Sequence, residues 1–325
     1  MAWGLALRLG LSASPHANHP PMLSLFVNNL LPVLLCAGVG FVIGRRFKPD
    51  VTSITRLVFY AFSPALVFHQ LLNAELSGDA LGQMVGFAAA CLGLQAGLAA
   101  LAGWALRLER RAWATLIVTA VFVNGGNVGL ATVRFAFGDA ALPFAVAFFV
   151  TSTFATYTFG VLVASLGKRN LRSALGELLT VPAFYGLIAA EGLRMTGLTL
   201  PLPLARAIEL LSEATIPVML VVLGMQIERS GTAQALSRQQ WAVVAAASGL
   251  QLLVAPVLAF GLASVLGLNG PALQAGVLQA SMPAAVITTV LAGQYDLDLD
   301  VATRVVVVTT MLSPLVLTPV MTLLV

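Results

Sequence analysis

Charge is what this chain has least of. Only 9% of its 325 residues are Asp, Glu, Lys or Arg, while 59% are hydrophobic. Soluble domains carry about 25% charged residues, so a water-exposed globular fold is excluded. Cysteine is nearly absent too. Cys36 and Cys91 both sit in apolar runs, with no metal or redox spacing, and read as small buried hydrophobes. The metalloprotease, nucleophile-elbow and phosphate-loop signatures are missing, which argues against an enzyme or an ATP-driven pump in this chain alone. The stretch GVGFVIG at 38–44 has the wrong spacing for a dinucleotide site and no strand before it. No cofactor is indicated. Carboxylates inside the apolar runs are few, Glu209 and Glu213 of 203–227 among them, and the residues do not identify a coupling proton or sodium ion. The net charge of +4 points to no nucleic-acid partner.

Long apolar runs stand in place of all this. Ten segments could each cross a bilayer, at about 20 residues apiece: 22–44, 52–73, 80–106, 112–136, 140–166, 171–195, 203–227, 240–266, 271–294 and 301–324. In lipid every backbone group must be paired internally, and runs without strict alternation mean helices, not a barrel. The expected fold class is an all-α polytopic membrane protein with the lipid bilayer as its first partner. Residues 1–21 stand apart. SASPHANHPPM cannot continue a helix, and Arg8 interrupts the weakly apolar stretch before it. This segment is expected to be a disordered extension, or to lie upstream of a start at Met22.

The few basic residues are unevenly spread. Arg45, Arg46, Lys48 and Arg56 flank the first connection, Arg107, Arg110 and Arg111 the third, and Lys168, Arg169 and Arg172 the fifth. Arg229 and Arg238 flank the seventh, and Arg304 follows the ninth. That puts 13 on odd connections against 4 elsewhere. The positive-inside rule then places the odd connections in the cytoplasm and both termini outside, in a bacterial inner membrane the periplasm.

Five spans precede the GKRN loop at 167–170 and five follow it. An odd number per half makes 22–166 and 171–325 face opposite ways, as inverted repeats do. FSPALVFHQLLNAE (62–75) lies over TIPVMLVVLGMQIE (215–228), aligning Pro64 with Pro217. VNGGNVGLATVRFAFGD (123–139) lies over ASMPAAVITTVLAGQYD (280–296), aligning Asp139 with Asp296. Asn124-Gly125-Gly126-Asn127 thus falls opposite Ser281-Met282-Pro283-Ala284. One half interrupts its helix with glycine, the other with proline. Matched interruptions of this kind mark a midplane binding site. Each creates a helix N-terminus whose unpaired N–H groups favour an anion. Asn127 and Ser281 are suitable caps, and Pro283 fits a first helical turn. A kink that serves packing alone is the competing explanation.

The patterns FVNGGNVGL, PVMLVVLGMQI and LQASMPAAVITTVLAGQYD resemble the auxin efflux carrier family. The nearest likeness is its bacterial branch, similar to malonate and malate permeases; plant auxin exporters are distant relatives. The resemblance covers residues 22–325. It implies ten helices with spans four and nine crossing as broken helices, as in the bile-acid sodium symporters. It also implies a core of spans three to five and eight to ten, and a scaffold of spans one, two, six and seven that makes a homodimer. Carboxylate substrates and elevator-type alternating access follow. The crossover residues would be Asn124, Gly125, Gly126 and Asn127, with Ser281, Met282 and Pro283. Plant relatives carry proline and asparagine at both crossovers, which this chain does not, and their long cytosolic loop is missing.

Other polar residues in the runs are candidates. His69 lies at membrane depth, and imidazole is the side chain suited to proton exchange in the physiological range, so it could carry a coupled proton. Arg134 lies two turns beyond Asn127 and could attract a carboxylate; snorkelling is the alternative. Ser152, in a cluster with Thr151, Thr156 and Tyr157, could touch substrate or simply bond a neighbouring helix. Gln279 and Gln274 precede the second interruption, and Thr288 and Thr289 follow it. Gly40–Gly44, Gly82–Gly86 and Gly93–Gly97 read as close helix packing. The sequence as a whole reads as a secondary transporter of small organic carboxylates. A passive channel or a membrane receptor for a small anion is the alternative.

Overall fold

The computed structural model describes residues 22–73, 77–165, 181–229 and 236–325. The extension before Met22 and the basic GKRN loop lie outside the described residues. Twelve helical segments, numbered here in chain order, build the fold. Seven are long and apolar enough to cross a membrane: α1 Leu23–Phe47, α2 Val51–Leu72, α3 Gly78–Ala105, α6 Leu142–Ala164, α8 Leu202–Arg229, α9 Arg238–Val265 and α12 Leu299–Leu324. The others are shorter: α4 Arg110–Val121, α5 Leu130–Phe137, α7 Pro182–Thr196, α10 Gly270–Ala280 and α11 Ile287–Gln294. Two of the runs expected to span, 112–136 and 271–294, are therefore each divided into a pair of half-length helices.

Helix ends follow local chemistry. The side chains of Asp50, Ser77, Ser237 and Asp298 cap α2, α3, α9 and α12 by accepting first-turn N–H groups. Prolines leave a second mark. Widened π turns at Phe26–Leu30, Val58–Phe62 and Leu250–Val254 each stop two residues before a proline, Pro32, Pro64 or Pro256. A proline ring displaces the carbonyl four residues back, and an added residue in the turn relieves the clash. The widened turn at Thr156–Gly160 has no proline after it; it lies beside the cavity described below.

The helices sort by contact into two groups. α1, α2, α7 and α8 pack chiefly on one another, and α3 to α6 pack with α9 to α12. In the first group α1 and α8 touch backbone to backbone: a Cβ on Gly40 would strike Val221, and one on Gly224 would strike Ala37. Gly44 faces Met225 in the same seam. This is the small-residue packing expected of the Gly40–Gly44 spacing. The other two spacings do no such thing. A Cβ added at Gly82, Gly86, Gly93 or Gly97 would meet nothing within 4 Å from another helix among the described residues.

Local structure recurs along the chain. α3 and α9 are both 28 residues long. Each ends with the same hydrogen bonds, Leu108 N–H to Gly103 O at 3.0 Å and Leu268 N–H to Ala263 O at 2.9 Å. Both ends turn through a positive φ, 51° at Arg107 and 68° at Gly267.

Candidate functional site: a crossover of two interrupted helices

The two interruptions meet. Val123 and Ala284 form an isolated antiparallel bridge. Asn124 N–H donates to Pro283 O at 2.7 Å, and Ala285 N–H donates to Phe122 O at 2.8 Å. Backbone groups freed by one break thus satisfy those freed by the other, as the bilayer interior demands. Val123, aligned with Ala280 when the two halves are compared in sequence, bridges Ala284 in space. A third helix braces the second break. The Thr309 hydroxyl of α12 accepts Ala284 N–H at 3.1 Å and donates to Val305 O at 2.7 Å.

Past the first break the chain re-enters helix through a widened turn, Gly125–Gly129. Sterics explain its glycines. A Cβ on Gly125 or Gly129 would run into the Gln279 carboxamide of α10, and one on Gly126 would lie 2.8 Å from the Phe149 ring and 3.0 Å from the Met219 methyl. The glycines let a side chain of the other interrupted helix press against this turn.

Asn124 is the residue at the cap position of this turn, but its side chain caps nothing. It is only 4% exposed, and its Nδ2 has no partner among the described residues. Asn127 is not the cap its type suggests; it sits within the first turn. The first N–H groups of a helix have no partner inside it. Asn124, Gly126 and Asn127 line a cavity of about 190 Å³. Ser152 lines it too. The hydroxyls around it on α6, those of Thr151, Thr153 and Thr156, donate to carbonyls four residues back. The Ser152 hydroxyl is left for the cavity.

The remaining walls are largely apolar, with Thr55, Ser63, Tyr157 and Gln226 among them. Val58 and Phe59 of α2 and Met219 and Val222 of α8 face Ile287 and Val290 of α11. The cavity therefore lies between the two helix groups. It shares Phe59, Tyr157 and Gln226 with a wider chamber of about 890 Å³. That chamber opens between Arg56 and Arg229. Among the described residues no Asp or Glu lines either space.

Other candidates fall elsewhere. Ser281 and Met282 are fully buried and do not reach the cavity. The Ser281 hydroxyl donates to Val277 O at 2.7 Å, closing the end of α10 instead of capping α11. Pro283 contributes its carbonyl to the bridge and precedes α11 by several residues. Gln279 lies behind the crossover, fully buried, donating to Gly125 O at 3.3 Å and Ala145 O at 3.2 Å. Gln274 donates to Leu324 O, and Thr288 to Ala285 O. Thr289 lines the outer chamber. Arg134 forms an exposed ion pair with Asp139 at 2.9 Å. His69 borders a separate cavity with Asn73 and Glu209. Sequence reasoning passed over Phe59, Phe149, Met219, Gln226, Ile287 and Val290. Nothing in an apolar run distinguishes a residue facing a cavity from one facing lipid.

The comparisons with known proteins agree on class. The family model described as "Membrane transport protein" matches residues 25–322. An uncharacterized transporter of Methanothermobacter thermautotrophicus is 28% identical over 293 residues, covering 87% of this chain and 93% of the relative. An uncharacterized transporter of Methanocaldococcus jannaschii is 27% identical over 206 residues, covering 62% and 65%.

Proposed function

The chain belongs to the membrane transport protein family, that of the auxin efflux carriers and one of transporters and not enzymes, and from that premise we propose a secondary carrier of small organic carboxylates. The observation that carries this reading is the set of convergent donors at Asn124–Asn127. Asn124, whose buried Nδ2 has no partner among the described residues, and a helix N-terminus border a cavity that no acidic side chain lines among the described residues. Such a terminus is a ready anion site. Arginines at the chamber mouth favour the same sign of charge.

The walls narrow the substrate further. One carboxylate can sit on the Asn124–Asn127 donors. A second would meet only neutral groups, Phe59, Met219 and Ile287 with Tyr157 and Gln226, and no cation among the described residues lining the cavity. Burying an unpaired carboxylate costs several kcal/mol. The preferred substrate is therefore a monocarboxylate with an apolar body, not a dicarboxylate such as malonate or malate.

Ten spans arranged as two inverted five-helix repeats fit the recurring hydrogen bonds at the ends of α3 and α9 and the antiparallel bridge. A cavity between two helix groups suits elevator-type movement of α3–α6 with α9–α12 against the rest. The chamber opens at the arginine-bearing ends of α2 and α8, so the conformation is inward-facing if the basic connections are cytoplasmic. A homodimer through the first helix group, in a bacterial inner membrane with both termini outside, completes the reading.

Counterflow in proteoliposomes tests it, with mono- and dicarboxylates and with pH and sodium varied separately. Saturable counterflow of an apolar monocarboxylate is expected. Flux without saturation would make the protein a channel, and binding without flux a receptor.

A further inference from the structure

Behind the crossover, away from the cavity, lies a layer of buried glutamines. Gln95 of α3, Gln251 of α9 and Gln279 of α10 are each at most 4% exposed. All three point at backbone carbonyls. Gln95 Nε2 donates to Ala120 O at 3.2 Å and to Leu250 O at 2.8 Å. Gln251 Nε2 lies 3.3 Å from Met282 O; turned over, its amide donates to Thr119 O at 2.8 Å and Ala120 O at 3.0 Å. Its NH2 group thus donates to the end of α4 in one orientation and to Met282 O in the other, never to both. Thr119 and Ala120 close α4, and Met282 follows α10. These are the C-terminal ends of the two first half-helices, where unpaired carbonyls concentrate negative partial charge.

In lipid that charge must be met by a cation or by donors. Among the described residues no Asp or Glu is buried, so a cation in this layer would have only neutral ligands. A hard monovalent ion loses much of its hydration on entry and needs charge or many oxygens in return. The carboxamide donors are already in place on the same carbonyls.

We propose that Gln95 and Gln251 are positioning residues, neutral counter-groups that hold the carbonyl ends of the crossover without a metal cation. This rests on the carrier reading, because its consequence is that transport runs without sodium. The two glutamines do not touch the substrate cavity. Gln95 holds the end of α4 and Gln251 that same end or Met282 O after α10, and through the bridge they fix the Asn124 end of the site.

The test compares wild type with Gln95→Glu and Gln251→Glu, each in sodium chloride and in choline chloride. Thermal stability in detergent and carboxylate counterflow are both measured. Wild type should give the same Tm and the same counterflow in either salt. Each Glu variant places a carboxylate among carbonyls. Each should lose stability in choline, with counterflow slower by about tenfold or more, and should recover in sodium. A purely structural loss would not be rescued by one cation. Gln95→Met, which removes the donor without adding charge, should lower Tm equally in both salts. A wild type that needs sodium for Tm or flux overturns the proposal and makes the layer a cation site. Glu variants that match wild type in choline overturn it too. Should the Glu variants fail to fold in either salt, the sodium response of wild type decides alone. Absence of counterflow with the Tm pattern intact would sink the carrier reading and leave the glutamine role standing.

Discussion

The two interruptions solve one backbone problem with opposite chemistry. Between α4 and α5 the chain uses Asn-Gly-Gly-Asn; between α10 and α11 it uses Ser-Met-Pro-Ala. Each supplies one strand of the same two-bond bridge. Beyond the bridge they diverge. The first break presents Asn124, Gly126 and Asn127 to the cavity, while the second presents Ala285, Val286 and Ile287. The likeness of the two breaks in their backbone bonding therefore does not carry over to the side chains. One half offers the polar end of the cavity and the other the apolar end. A molecule with a charged head and an apolar body fits such a space in one orientation.

Charge placed on the polar half should break this asymmetry most severely. Asn124→Asp and Asn127→Asp each put a negative group where the carboxylate is proposed to sit. Affinity measured by thermal shift with substrate should fall at least about a hundredfold, roughly 2.7 kcal/mol. Ser281→Asp, its counterpart in the sequence alignment, should act differently. Ser281 is fully buried away from the cavity, so this variant should lose folded protein, not selectivity. If it folds and loses only binding, the second break lines the site after all. Val290→Asn, on the apolar half, should favour more polar substrates in competition assays.

Volume separates the halves next. Gly129→Ala brings a methyl onto the Gln279 carboxamide, which is itself tied to Gly125 O and Ala145 O. Overpacking of this kind costs about 1–3 kcal/mol and should appear as a lower Tm. Gly126→Ala meets the edge of Phe149 and the mobile end of Met219. It should cost less stability but narrow the cavity and raise KM. Equal Tm losses would mean that the two sides of the turn are equally rigid.

How much of this was legible in the residues follows from the same contrast. Composition and run length mark a helical membrane protein, because lipid leaves the backbone few options. The Asn-Gly-Gly-Asn break is conspicuous, since polar and conformationally free residues are rare in an apolar run. The partner break is visible through Pro283. Which residues of the two breaks touch was not legible, because an alignment of the halves pairs equivalent positions and not contacts. The side of the crossover that Gln279 takes was not legible either. A polar residue beside a break can face the cavity or its back, and one turn decides which.

Thr309 tests the bridge itself from the second side. Its hydroxyl accepts Ala284 N–H, and no other side chain is seen bonding that amide. Thr309→Val keeps the shape and strands one buried donor, at about 1–3 kcal/mol. The first break takes no such brace: Asn124 N–H is satisfied by Pro283 O across the bridge. Tm should fall, with the substrate profile unchanged, because the hydroxyl does not line the cavity.

The smallest effect should come from the aligned aspartates. Asp139 and Asp296 occupy matched positions, yet they take different partners: Arg134 at 2.9 Å and Arg111 at 3.3 Å. Arg134 lies on the half-helix that begins at the polar break, which made it a candidate for drawing in the substrate. Its pairing speaks against that. The guanidinium is already engaged by Asp139, both side chains are largely exposed, and neither lines the cavity or its outer chamber. Exposed ion pairs contribute about 0–1 kcal/mol. Arg134→Ala should therefore shift Tm little and leave counterflow within about twofold of wild type. The contrast is Arg56→Ala, at the chamber mouth. Losing that charge should slow uptake at low ionic strength and matter less as salt screens the field. If Arg134→Ala slows counterflow as much as Arg56→Ala, with the same salt dependence, the substrate also passes the Asp139 end of α5. The arginine would then belong to an opposite-facing state of the carrier.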